Sequence, residues 1–115
     1  VNVSLKIKLK NGVIIMYEEI LPYEVEQLRL EGKIASIIDV REVDEFQGGH
    51  IPGAVNISVN VIQSKLNQID KGKEHIIVCH SGGRSGVASA ILAANGFKVK
   101  NMTGGMLDWT GEIEY

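Results

Sequence analysis

Cysteine is almost missing from this chain: Cys79 is the only one in 115 residues. That excludes an internal disulfide, suits a reducing compartment, and leaves no second thiol within the chain to resolve an intermediate formed on the first. An excess of charge of one sign is missing too. Twelve basic and 14 acidic residues give a formal net charge of -2, which offers no general attraction for nucleic acid or an acidic membrane, so any anion must be held locally. No hydrophobic run approaches the roughly 20 residues of a membrane helix, and the first residues alternate instead of forming a signal-peptide core. These absences predict a soluble protein with the cytoplasm as its expected location, binding neither nucleic acid nor membrane. His50, His75, His80 and Cys79 lack the spacing of a metal site and no nucleotide-binding fingerprint occurs, so neither metal nor cofactor is expected. There are no repeats, low-complexity tracts or interdomain linkers. A length of 115 residues with 44% hydrophobic content suffices for one packed domain and is too short for two.

The first ten residues alternate Val1, Val3, Leu5, Ile7 and Leu9 with polar neighbours, and Asn11-Gly12 then leads into the apolar run Val13 to Met16. This pattern predicts a β-hairpin, read as an extension over residues 1–16 whose second strand continues toward a domain over 17–115. Lys6, Lys8 and Lys10 give its first strand a solvated face that discourages edge-to-edge pairing. Leu21, Val25 and Leu28 recur at helical spacing after Pro22, with Gly32 as the stop. A strand follows from Ile34 to Val40, delivering Asp39 where ligands collect in open α/β sheets. Asp39 and Arg41 can pair with each other or with a neighbouring loop, and so orient a site without performing chemistry. Helices are expected from Val61 to Ile69, from Ser85 to Asn95, and after Gly104-Gly105, where Trp109 serves as a packing anchor. The remaining strands are His75 to Val78 and Phe97 to Met102. His50 reads as a structural residue of its turn.

The segment Cys79-His80-Ser81-Gly82-Gly83-Arg84-Ser85 concentrates the chemistry. The β-branched run before it predicts a buried parallel strand, so Cys79 falls at a strand's C-terminal end and opens a turn into a helix. Such a turn directs consecutive backbone N–H groups at one point, because the first helical amides have no partner inside the helix. Gly82 and Gly83 permit the close approach, and Arg84 adds a fixed positive charge with forked donors. A free thiol titrates near pH 8.5, so only a few per cent is thiolate at neutrality. Raising that ratio a hundredfold takes about 2.7 kcal/mol, whereas a helix N-terminus supplies about 0.3 to 1 kcal/mol. Direct donors from the turn must supply the rest.

Cys79 to Ser85 resembles the active-site loop of rhodanese domains, which carry sulfur as a cysteine persulfide. Two further segments agree in order along the chain. Asp39-Val40-Arg41-Glu42 with Glu45-Phe46, then Gly49-His50-Ile51-Pro52-Gly53-Ala54 and Asn56-Ile57, is similar to the family's N-terminal signature. Gly104-Gly105-Met106-Leu107-Asp108-Trp109 is similar to its C-terminal one. The resemblance implies an α/β, rhodanese-like three-layer domain with a central, mostly parallel five-stranded sheet flanked by helices. It also implies Cys79 as the nucleophile, with His80, Ser81, Gly82, Gly83, Arg84 and Ser85 around the substrate and Asp39 and Arg41 in support. The expected reaction moves sulfur from a donor such as thiosulfate to a thiol, cyanide or protein acceptor; a sulfur-relay or regulatory binding module is the alternative. Cysteine phosphatases and arsenate reductases also set a thiolate near an arginine, but in a Cys-x5-Arg turn. Four residues separate Cys79 from Arg84 here.

Overall fold

The computed structural model describes the backbone of residues 3–10 and 13–115 and the side chains of residues 16–115. β1 (Val3–Lys10) and β2 (Val13–Ile20) form the expected hairpin, paired antiparallel over their full length. β2 is also a member of the main sheet, because Glu18, Glu19 and Ile20 pair in parallel with Lys100, Asn101 and Met102. The remaining strands are β3 (Ser36–Asp39), β4 (Val55–Asn56), β5 (Glu74–Val78) and β6 (Lys98–Met102). Their order is β1-β2-β6-β5-β3-β4, so five strands run parallel and β1 lies antiparallel at one edge. The expected parallel five-stranded sheet is therefore present, with β2 of the hairpin as one of its five strands and β1 added alongside.

Both faces of this sheet are covered, which explains why its central strands read as continuous apolar runs. Alternate residues of β5 serve different cores. Ile77 packs with Ile38, Leu92 and Phe97, whereas Ile76 and Val78 pack with Val25, Ile51 and Met102. The first face is covered by α3 (Gly83–Ala94) and a 3₁₀ helix, Ile62–Gln68; the second includes Val25 of α1 (Pro22–Leu30) and Trp109. Trp109 is thus an anchor of the second core.

The segment after Val61 differs from the α-helix that its apolar spacing predicts. It is a 3₁₀ helix, capped by no side chain at Val61. A 3₁₀ helix rises about 2.0 Å per residue against about 1.5 Å for an α-helix, so it carries the chain farther between sheet edges for the same residues. α2 (Val43–Gln47) and β4 are additional elements with no counterpart in the sequence reading. No helix among the described residues is long and apolar enough to cross a membrane.

Candidate active site

Cys79 immediately follows β5, and the chain turns there through His80, Ser81 and Gly82 into α3. Gly82 makes the turn possible. Its φ of 101° lies in the left-handed region, and a Cβ there would stand 3.2 Å from the Gly104 nitrogen. α3 begins at Gly83, two residues earlier than the sequence suggests, so Arg84 belongs to the first helical turn.

The Gly82 N–H donates to Cys79 Sγ at 3.0 Å. The thiol in turn donates to Ser85 Oγ at 3.2 Å, a direction that reverses once the sulfur is ionised. Cys79 is fully buried, and that burial is the largest influence on its ionisation, pushing the thiol up. The Ser85 hydroxyl and the backbone N–H groups of Ser85, Gly82 and Ser81 together outweigh it, holding the thiol below its ordinary value. The sulfur is thus buried and yet ringed by donors, which is the condition for a stabilised thiolate. His80 is exposed.

A second turn clamps this one from outside. Met106 N–H donates to the Cys79 carbonyl at 2.8 Å and Leu107 N–H to that of His80 at 2.9 Å. The close approach requires glycine at 105, where a Cβ would stand 2.5 Å from both carbonyl oxygens at a φ of 60°. This role for Gly105 is additional to the turn read from the sequence.

Arg84 does not extend freely over the sulfur. Its guanidinium is held by the Glu45 carboxylate through two bonds of 2.6 and 2.9 Å, and this pairing holds Glu45 down to about 2. Glu45 also accepts the Glu42 N–H at 3.1 Å, so one carboxylate closes the first turn of α2 and neutralises the cation beside Cys79. Sequence reasoning gave Glu45 no role of its own; its only signal was membership of the Asp39-to-Phe46 segment.

Asp39 and Arg41 pair with each other. Both are buried; Arg41 Nη2 donates to Asp39 Oδ2 at 2.8 Å and to the Gly49 carbonyl at 2.9 Å, while Arg41 N–H caps Asp39 Oδ1 at 3.1 Å. Asn56 Nδ2 adds bonds to the Asp39 and Arg41 carbonyls. This network shapes the connection that carries Glu42 and Glu45. His50 holds the same region, stacked on Phe46 at 3.7 Å with Nδ1 2.8 Å from the Phe46 carbonyl. His75 lies away from the cysteine, buried between Ser36 Oγ and the Asp70 carbonyl. Among the described residues no cluster of His, Cys, Asp and Glu could hold a metal ion.

Comparison with known proteins places the chain in a family. Residues 21–112 match the model of the rhodanese-like domain. A Bacillus subtilis protein, YrkF, provisionally named a sulfur carrier protein, is 42% identical over 80 residues, which span 69% of this chain and 43% of YrkF. The thiosulfate sulfurtransferase GlpE of Pseudomonas savastanoi is 32% identical over 94 residues, covering 81% of this chain and 87% of GlpE. Among solved structures, a rhodanese-like domain protein from Staphylococcus aureus superposes with a TM-score of 0.78 at 37% identity, covering 84% of this chain and 95% of that one. With the family model spanning residues 21–112, most of the sequence, the chain belongs to the rhodanese-like domain family.

Proposed function

We propose that this chain is a sulfurtransferase that carries sulfur as a persulfide on Cys79. The observation supporting it most is the surroundings of Sγ: the Gly82 N–H donating at 3.0 Å and the Ser85 hydroxyl at 3.2 Å, which accepts from the thiol and donates to the thiolate, around a sulfur whose ionisation is favoured despite burial. In the first half-reaction the thiolate attacks the outer sulfur of a donor such as thiosulfate. A Cys79–sulfur bond forms, the donor's S–S bond breaks, and its electron pair leaves with sulfite. The N–H groups then hold the terminal persulfide anion as they held the thiolate. In the second half a nucleophile takes that outer sulfur and the electron pair of the broken bond returns to Cys79. Two half-reactions through a covalent intermediate give ping-pong kinetics. His80, Ser81 and Gly83 shape the turn, Arg84 contributes to its field, and Asp39 with Arg41 fixes the neighbouring connection.

Treatment with thiosulfate should add one sulfur atom to the protein by mass spectrometry, and Cys79→Ser should add none. Native protein that gains no sulfur from thiosulfate or from a polysulfide would refute the persulfide. Full burial of Cys79 and the resemblance to a protein named as a sulfur carrier favour a second reading within the same chemistry, relay from one protein to another.

A further inference from the structure

All five parallel strands direct their C-terminal ends to one edge of the molecule, so the segments after β3, β4, β5 and β6 surround the approach to Cys79. Three of those segments leave a large apolar side chain in solvent: Val43 is 59% exposed, Val61 43% and Leu107 64%. Leu107 is adjacent to the cysteine turn, since its N–H donates to the His80 carbonyl. One exposed valine is ordinary; three large apolar side chains on the segments that leave this one edge give it an apolar character, and Leu107 is tied to the cysteine turn itself.

The charges on this edge are unbalanced. Among the described residues the cations of the segments that leave it are Arg41, Arg84 and, after β4, Lys65; the two arginines are engaged, one by Asp39 and the other by Glu45, which leaves Lys65 alone against three acidic groups. Glu42, Asp44 and Asp108 have no salt-bridge partner among the described residues. Lys33, Lys71, Lys73 and Lys98 precede or open β3, β5 and β6, which places them at the opposite edge. A small dianion therefore approaches Cys79 against the field, whereas a cationic surface approaches with it. A persulfide also extends the transferable sulfur about 2 Å beyond Sγ, so an acceptor need not enter the buried site.

We infer that the sulfur acceptor is a cysteine of a partner protein, set in an apolar surface ringed by Lys or Arg. It docks over Val43, Val61 and Leu107, with its basic groups facing Glu42, Asp44 and Asp108. This assignment rests on the Cys79 persulfide. The acceptor thiolate forms an S–S bond to the outer sulfur, the bond between that sulfur and Sγ breaks, and its electron pair restores the Cys79 thiolate. No external oxidant or reductant is required.

The test loads Cys79 with a polysulfide, confirms one added sulfur by mass, and offers two cysteine peptides that differ only in Lys or Glu flanks around a leucine. Rates are compared per peptide thiolate. The Lys peptide should discharge the persulfide roughly tenfold faster at low ionic strength, and the two rates should converge as salt is raised. The double variant Asp44→Lys with Asp108→Lys should abolish or invert the preference, and Leu107→Ser should slow the Lys peptide. Equal rates with loaded native protein, or a preference that the double variant leaves intact, would overturn the acceptor assignment and leave the persulfide standing. Absence of the added sulfur is a separate result, and it would overturn the persulfide itself.

Discussion

A single hydroxyl, that of Ser85, contributes most to lowering the Cys79 thiol against the opposing effect of burial. A hydrogen bond to a charged group contributes about 1.5 to 3 kcal/mol, so Ser85→Ala should slow alkylation of Cys79 by iodoacetamide at neutral pH by roughly tenfold or more. The rate profile should move to higher pH; an unchanged profile would assign the effect to the amides alone. The sign for stability follows from the lowered thiol. Ionised Cys79 stabilises the fold fully above the titration of an unfolded thiol, near pH 8.5, and that contribution is lost as pH falls through the folded value. Glu45 behaves likewise at acid pH: its stabilisation is present above about 4.5 and is lost as pH falls through about 2. The Arg84–Glu45 pair therefore stays intact near neutrality, and a pH profile measured there reports the thiol. At this scale Cys79, Gly82 and Ser85 were legible in the sequence, because strand, turn and helix signals converge on them. Glu45 was not, since its partner lies 39 positions away and no periodicity links the two.

Between elements, Gly105 meets the backbone of Cys79 and His80 with no room for a Cβ. An alanine there adds a left-handed residue at about 1 to 2 kcal/mol and an overpacked contact at about 1 to 3 kcal/mol. Gly105→Ala should thus lower the melting temperature by roughly 10 °C or more, measured by calorimetry, with slower sulfur loading in whatever remains folded. A variant as stable as the native protein would mean that the second turn is free to move away. The helices and strands that pack the sheet were legible because each carries apolar residues at a regular period. α2 escaped because none of its residues is buried, which removes the amphipathic signal, and β4 because two residues are too few to show alternation. The Asp39–Arg41 pair sat in an identifiable segment, but only the structure distinguishes pairing with each other from pairing with the cysteine turn.

For the molecule as a whole, the family resemblance led to the sheet and the place of Cys79 at a strand's C-terminal end led to its edge of chemistry, while the separation of charge between the two edges required the strand directions. Under the proposed persulfide chemistry, that separation should act on small anionic donors. Raising ionic strength from about 0.01 M to 0.15 M shortens the Debye length from about 30 Å to about 8 Å, and should lower the KM for thiosulfate at least about twofold by screening Glu42, Asp44 and Asp108. A KM that rises with salt would show that the approach to Cys79 is attractive to anions. The clamp by Met106 and Leu107 makes the cysteine turn depend on a distant part of the chain: the carbonyls of Cys79 and His80 receive their hydrogen bonds from residues that follow β6, so the turn is fully braced only when that segment has docked.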